Sequence, residues 1–335
     1  MNGKERLCVN CFRIVRGGHE VCPYCGFIEN GLAGEACQLR PGTILADRYI
    51  IGEAIGQGGF GITYKGYDTN LGSVVAVKEF YPSRCVSRAE NETRVSVFSG
   101  ERKQEYGAML KRFLEEARNA ALFWKEPDIV NVLAYFEQNG TAYMIMEYIE
   151  GVLLKQLLEQ EGRLEPQVAC TYMCAILKAL SKIHEKGIIH RDISPDNIFL
   201  TGENTIKLLD FGTARFQQGE SGQNVSVVVK PGYSSPEQYR SKVRQDSRMD
   251  IYSAGAVYFR MLTGFRPAEA LDRMEKDEVA FTEHVGINVR LKEDILKAMA
   301  LDPEKRFASA EEFRLAIEAH GRLPQKSGFF DRFRR

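Results

Sequence analysis

The chain has 335 residues, 44% hydrophobic and 27% charged, with 45 basic side chains set against 45 acidic ones. That balance excludes a dominant electrostatic grip on a polyanion, and the composition is that of a globular chain able to build a two-part core plus a small extra module. No apolar run reaches the roughly 20 residues that a membrane-crossing helix requires, and Asn2 offers no myristoylation site.

Cys8-Val9-Asn10-Cys11 and Cys22-Pro23-Tyr24-Cys25-Gly26 form two Cys-x-x-Cys pairs ten residues apart. Each pair can place two thiolates on one ion from a tight turn, and four thiolates in a tetrahedron select Zn²⁺. So short a stretch buries little, and a metal would supply its folding free energy. The segment 1–28 resembles a zinc ribbon with Cys8, Cys11, Cys22 and Cys25 as ligands. Iron, a disulfide pair and a redox dithiol are the rival readings. With no leader-like segment ahead of Cys8, the expectation is a reducing, cytoplasmic setting that favours metal. His19 reads as a loop residue. Five basic residues against four acidic ones over positions 1–40 give no strong nucleic-acid signal. A protein-contact or regulatory module is the expectation, followed by a glycine-containing linker over 29–42 that lets it move.

Beyond the linker, Tyr49-Ile50-Ile51-Gly52-Glu53-Ala54-Ile55 and Ile62-Thr63-Tyr64-Lys65 read as strands around Gly56-Gln57-Gly58-Gly59-Phe60-Gly61. Such glycines let backbone amides approach phosphate oxygens. Val75-Ala76-Val77-Lys78 reads as a further strand that aims an ammonium at phosphates. Between 81 and 108 lies a polar stretch with a candidate short strand at Thr93-Arg94-Val95-Ser96-Val97, either a regulatory surface or a tolerated insertion. From Arg112 to Phe123 the apolar spacing is helical, with Phe113, Ala117, Ala120 and Ala121 on one face. Glu116 lies beside that face and is the expected partner of Lys78, with Glu115 in reserve. Cys170 and Cys174 sit one turn apart on an apolar helix and read as buried thiols.

His190-Arg191-Asp192 is followed five residues later by Asn197, and Asp210-Phe211-Gly212 begins eighteen residues after Asp192. This order supplies a carboxylate for a hydroxyl proton and two oxygen ligands for Mg²⁺ on a triphosphate. Ser235-Pro236-Glu237 and Leu301-Asp302-Pro303-Glu304-Lys305-Arg306-Phe307 offer a carboxylate–guanidinium pair, Glu237 with Arg306. Asp250 opens an apolar helix.

Together these elements resemble the eukaryotic-type protein kinase family, of the bacterial kind, over residues 43–320. The resemblance implies an α+β, two-lobed fold, with a β-rich N-lobe, a helical C-lobe and ATP between them. It implies Asp192 as catalytic base, Lys78 with Glu116 as phosphate clamp, and Asn197 and Asp210 as Mg²⁺ ligands. It also implies a nucleotide site of Ile55, Gly56, Gly58, Gly61, Thr63, Ala76 and Lys78, closed by the adenine-facing linker Met146, Glu147 and Ile149. Asp250 becomes the brace of the catalytic loop. The implied activity is ATP- and Mg²⁺-dependent phosphorylation of serine and threonine hydroxyls on proteins, with autophosphorylation, in signalling. The alternative is a nucleotide-binding pseudokinase scaffold working through its ribbon. The segment closed by Ser235-Pro236-Glu237 reads as built for peptides and disfavours small-molecule phosphorylation.

Two departures from the family pattern coincide. Where a catalytic-loop lysine is usual stands Ser194, and where a threonine is usual ahead of Tyr233 stands Lys230. The expectation is an exchange, in which Lys230 brings the missing charge to Asp192 from the activation segment. The competing reading makes Lys230 a solvent-facing lysine and Ser194 a weakening. Thr63 replaces the family's valine over adenine at nearly equal shape. Thr213, Ser221 and Ser226 are candidate segment phosphosites for Arg191 to gather, with Glu220 as an acidic stand-in. The tail, 321–335, carries five basic residues and three phenylalanines against Asp331. Two roles suit it, contact with an anionic membrane surface or acidic partner, and a solubilising end.

Overall fold

The computed structural model describes residues 5–28, 35–203, 205–211, 215–216, 229–240, 245–279, 281 and 287–321. The candidate phosphosites Thr213, Ser221 and Ser226, together with Glu220, Gly212 and the tail beyond Gly321, lie outside the described residues. The chain divides into two compact units, residues 1–124 with 130–149 and residues 125–129 with 150–335.

The first unit opens on the cysteine module. β1 (Arg6–Leu7) pairs antiparallel with β2 (Ile14–Val15), and Val21 bridges to Ile28. Both Cys-x-x-Cys turns close alike. Phe12 N–H donates to the Cys8 carbonyl at 2.8 Å, and Gly26 N–H donates to the Cys22 carbonyl at 2.9 Å. Both closing residues take left-handed φ, 54° and 73°. Among the described residues its core cluster is Cys8, Val15 and Cys22, with Cys11 and Phe27 packed on them. So small a core offsets little of the entropy of ordering the segment.

β3 (Ile44–Leu45), β4 (Tyr49–Gly58), β5 (Gly61–Asp68) and β6 (Ser73–Phe80) come next. Then come a hairpin of two short strands, β7 (Val86–Ser87) with β8 (Ser96–Val97), and the helix α1 (Glu101–Ala121). β9 (Val132–Gln138) and β10 (Thr141–Glu147) complete an antiparallel six-stranded sheet ordered β3-β4-β5-β6-β10-β9. Asn139 and Gly140, both left-handed at 56° and 74°, make the tight β9–β10 turn that suits sheet twist. β5 alternates half-buried and buried residues along its length, as a strand of period two should. Phe113 and Tyr106 of α1 meet Phe80 at 5.4 and 5.3 Å between ring centroids, which seats the helix on the sheet. The helix begins eleven residues before the Arg112 start read from periodicity. Its first turns are exposed save Tyr106, so they carry no apolar stripe to read.

The cysteine module and the segment after it are fastened to this sheet. Phe12 stacks on Tyr67 of β5 at 5.5 Å and 17°. At Gly52 in β4 a Cβ would come within 2.6 Å of the Val9 carbonyl oxygen and 2.9 Å of Phe12. Gly42 N–H donates to the Ile51 carbonyl at 2.7 Å, and Ile51 N–H to the Thr43 carbonyl at 2.8 Å. Leu39 is buried, its N–H donating to the Tyr64 hydroxyl at 2.9 Å. The glycines of 29–42 suggest a linker on which the module moves; across its described part, 35–42, the segment is stitched to β4 and β5 instead.

The second unit holds β11 (Gly151–Leu153), α2 (Leu154–Glu161), α3 (Pro166–Glu185), β12 (Ile188–Ile189), β13 (Ile198–Thr201), β14 (Ile206–Leu208) and β15 (Arg215–Phe216). α4 (Arg248–Thr263), α5 (Ala270–Glu275), α6 (Val289–Ala298) and α7 (Ala310–His320) complete it. β11, β13 and β14 form one small sheet and β12 pairs with β15. α4 is buried nearly all round and forms the axis of the unit, with α3, α6 and α7 against it. Cys170 of α3 is buried in this core and Cys174 half-buried.

Candidate active site

In the first unit, β4 and β5 meet across Gly58 and Gly61, so Gly59 and Phe60 form the tip of the glycine-rich hairpin. Gly56, Gly58 and Gly59 are exposed and a Cβ there would touch nothing, while Ile55 is half in solvent. Gly61 differs. Its Cβ would lie 2.6 Å from the Glu79 carbonyl oxygen, so only glycine lets β5 approach β6 this closely. The register pairs Thr63 with Lys78, Lys78 with Met144 and Ala76 with Met146. Paired residues share a face, so Thr63, Ala76, Lys78 and Met146 line one side of the sheet, together with Met144, which sequence reasoning missed.

On that side Lys78 Nζ donates to Glu116 Oε1 at 2.7 Å. Of the two neighbouring glutamates, then, α1 turns Glu116 to the lysine, and Glu116 is almost wholly buried. Lys78 also lies over the Phe113 ring at 5.9 Å. Glu147 closes β10 with its carboxylate accepting from Asn131 N–H at 2.8 Å and its own N–H donating to the Asn131 carbonyl at 3.0 Å. Those bonds fix the backbone that leads on to Ile149. Nothing in the sequence pointed to Asn131, because its part is played by main-chain atoms.

In the second unit the loop after β12 hangs from Asp250. This carboxylate, fully buried in α4, accepts from His190 N–H at 2.8 Å, Arg191 N–H at 2.7 Å and His184 Nε2 at 2.8 Å. Burial works to raise its pKa, but the His184 hydrogen bond, the nearby imidazoles and the backbone donors outweigh it and hold the acid below its ordinary value. Arg191 is left-handed at φ 67° and Asp210 at 55°. Side chains other than glycine rarely tolerate this, and such positions cluster where the fold over-determines the backbone. Asn197 Nδ2 donates to the Asp192 carbonyl at 2.8 Å, while its own carbonyl accepts from Leu209 N–H at 2.9 Å. One asparagine thus ties the loop bearing Asp192 to the strand end bearing Asp210. Phe211 is buried beside the His190 ring at 5.1 Å.

Lys230 Nζ lies 2.9 Å from Ser194 Oγ and 2.8 Å from Asp192 Oδ1. Its backbone is held by Ser234, whose Oγ accepts from Lys230 N–H at 2.9 Å. Gln238 Nε2 reaches back to the Arg191 carbonyl at 2.9 Å. Glu237 makes a forked pair with Arg306 at 2.7 and 2.8 Å, both side chains buried. Ser234 and Gln238 had no signal in sequence beyond their nearness to Ser235-Pro236-Glu237.

The first unit also holds the cysteine cluster. The four sulfurs lie within 4.8 Å of one another, with Cys8–Cys25 and Cys11–Cys22 each 3.7 Å apart. A disulfide needs about 2.05 Å, whereas the edge of a tetrahedron of zinc–sulfur bonds of about 2.3 Å is close to 3.8 Å. Burial pushes Cys8 up and Cys11 up to about 12. Cys22, although burial acts upward on it too, is drawn down to about 6 by the N–H groups of Tyr24 and Cys25.

The protein kinase domain family matches residues 49–313. Serine/threonine-protein kinase PknB of Mycobacterium leprae is 33% identical over 298 residues, covering 84% of this chain and 44% of its own. PknB of Mycobacterium tuberculosis (strain H37Rv) is 34% identical over 300 residues with the same shares. The probable serine/threonine-protein kinase CPE1738 of Clostridium perfringens is 32% identical over 281 residues, 81% of this chain and 38% of its own. The chain therefore spans less than half the length of these curated relatives. Among solved structures, the apo form of PpkA-294 superposes with a TM-score of 0.72 at 33% identity, over 84% of this chain and 99% of that one.

Proposed function

The chain belongs to the protein kinase domain family, and from that membership we propose that it transfers the γ-phosphoryl group of ATP to serine or threonine hydroxyls of proteins, itself included, in signalling. The observation that carries this is the anchoring of the 190–197 loop, suspended from Asp250 and joined through Asn197 to the strand that presents Asp210. Phosphoryl transfer asks chiefly for positioned charge, and this is a positioning device.

In that reading Asp192 accepts the hydroxyl proton as the oxygen attacks phosphorus. Lys78, held by Glu116, orients the α- and β-phosphates, under backbone amides of the glycine-rich hairpin. Asn197 and Asp210 are oxygen donors of the kind Mg²⁺ prefers and would hold it; when bound it neutralises charge on the phosphates. Lys230 takes the place of the missing catalytic-loop lysine. Its ammonium, steadied by Ser194 and Asp192, is available to charge that develops on the transferring group. Cys8, Cys11, Cys22 and Cys25 would hold Zn²⁺ as a structural ion. A dication displaces the protons that crowded thiols otherwise keep, and its binding free energy folds the ribbon.

Incubation of purified protein with [γ-³²P]ATP and Mg²⁺ tests the reading. Label is expected on serine or threonine of the protein itself or a generic substrate, and Asp192→Asn is expected to abolish it. Mg-ATP binding without transfer in the wild type would replace the kinase by a pseudokinase scaffold, the reading that Ser194 alone favours.

A further inference from the structure

Glu79 follows Lys78 in β6 and so faces the opposite side of the sheet from α1. There its buried carboxylate accepts from the Tyr64 hydroxyl at 2.9 Å and the Tyr143 hydroxyl at 3.1 Å, and pairs with the guanidinium of Arg88. Arg88 belongs to the 81–100 segment that separates β6 from α1, and its side chain is wholly buried. The same guanidinium donates through Nη1 to the Cys37 carbonyl. Residues on either side of Cys37 hold the glycine-rich hairpin. Gln38 Nε2 donates to Gln57 Oε1 at 2.8 Å, Gln57 Nε2 donates to Glu35 Oε2 at 2.6 Å, and Leu39 N–H reaches Tyr64. Gln57 stands inside the run 56–61.

A buried ion pair is a poor source of stability, since desolvation of both charges costs about what their attraction returns. What Arg88 adds is geometry, because its planar fork serves Glu79 through Nη2 and the Cys37 carbonyl through Nη1 in fixed directions, whereas an ammonium would have to reach both acceptors from one nitrogen. We infer that Arg88 is a positioning residue for nucleotide binding: it holds segment 35–39 against the hairpin and thereby sets Gln57 and the phosphate-facing amides of 56–61. The 81–108 insertion is then a working part of the site, and the ribbon reaches the hairpin through the same segment. This deepens the proposed function and rests on it.

Two variants separate the clamp from stability. Arg88→Lys keeps a charge for Glu79 but loses the fork. Glu35→Ala/Gln38→Ala removes two of the bonds on Gln57 at the surface, keeps the 3.7 Å contact of Gln57 Nε2 with Cys37 Sγ, and leaves the buried pair whole. Mg-ATP affinity by calorimetry, amide exchange over 56–61, Tm, and KM for ATP and for a peptide substrate are read on the metal-loaded full chain. Both variants are expected to bind Mg-ATP about 5- to 20-fold more weakly, with faster exchange at 56–61 and an unchanged peptide KM. Equal affinity and equal exchange in wild type and both variants overturn the inference and leave the function standing. An effect confined to Arg88→Lys and accompanied by a lower Tm overturns it too, assigning Arg88 to stability alone. A wild type that binds no Mg-ATP overturns the function and the inference together.

Discussion

Lys230 crosses 36 positions of chain to reach Ser194 and, in the same place, touches Asp192. A cation supplied there from the activation segment should act on turnover more than on nucleotide affinity. Lys230→Met is expected to lower kcat by roughly 100-fold, the scale of losing one preorganised donor to developing charge, with KM for ATP little changed. Steady-state kinetics check this, and full kcat in the variant would leave Lys230 a surface lysine. Asp68 illustrates a carboxylate with a purely structural part. Two hydrogen bonds from Arg48, at 2.8 and 2.7 Å, hold its pKa below the ordinary 3.8, with backbone donors at Leu71 and Asn70 adding to the effect against burial. Depressed in the folded state, it contributes stability that is fully present above the unfolded pKa and is lost as pH falls through the folded one. Asp68→Asn should therefore cost stability at pH 7 and flatten the acid limb of a denaturation profile below about pH 4, measured by urea unfolding across pH.

The glycine-rich hairpin works as a unit because β5 is pressed to β6 at Gly61, where no Cβ fits. Gly61→Ala must move β5 or the Glu79 peptide, a strain of about 1–3 kcal/mol, and should lower Tm and weaken Mg-ATP binding together; an unshifted Tm would show that the strands yield freely. The same element shows where sequence patterns stop. β5 alternates half-buried and buried residues and β6 is apolar along most of its length, so these strands and the Phe113–Ala121 face of α1 stood out in the sequence. The first turns of α1 and the 81–100 segment carried no such stripe. In α1 that leaves Tyr106 as the buried group of the first turns, and in 81–100 buried residues, among them Tyr81, Cys85, Val86, Arg88 and Val95, are scattered with no period. A lone arginine in a polar stretch reads as solvated until its partner, Glu79, is seen beside it.

For the molecule as a whole, the ribbon is the part whose folding depends least on its own core. Chelation of a bound zinc should unfold residues 5–28 while leaving the secondary structure of the second unit intact, and because Phe12 and Val9 rest on Tyr67 and Gly52, it should also lower the Tm of the first unit. Hydrogen exchange with and without a zinc chelator reads both, and a Tm indifferent to chelation would argue that the thiols carry no structural metal. The order and spacing of short motifs, from Lys78 through His190-Arg191-Asp192 and Asp210 to Arg306, were enough by themselves to identify the family, because the family restricts residue type at each of those places. The sequence put Glu116 ahead of Glu115 and Lys230 at Asp192 as expectations with rivals. Tertiary structure chose between those rivals, and it alone bound the segment after the ribbon to the hairpin. Those choices depend on helix rotation, on sheet register and on buried hydrogen bonds between residues far apart in the chain, none of which leaves a local pattern.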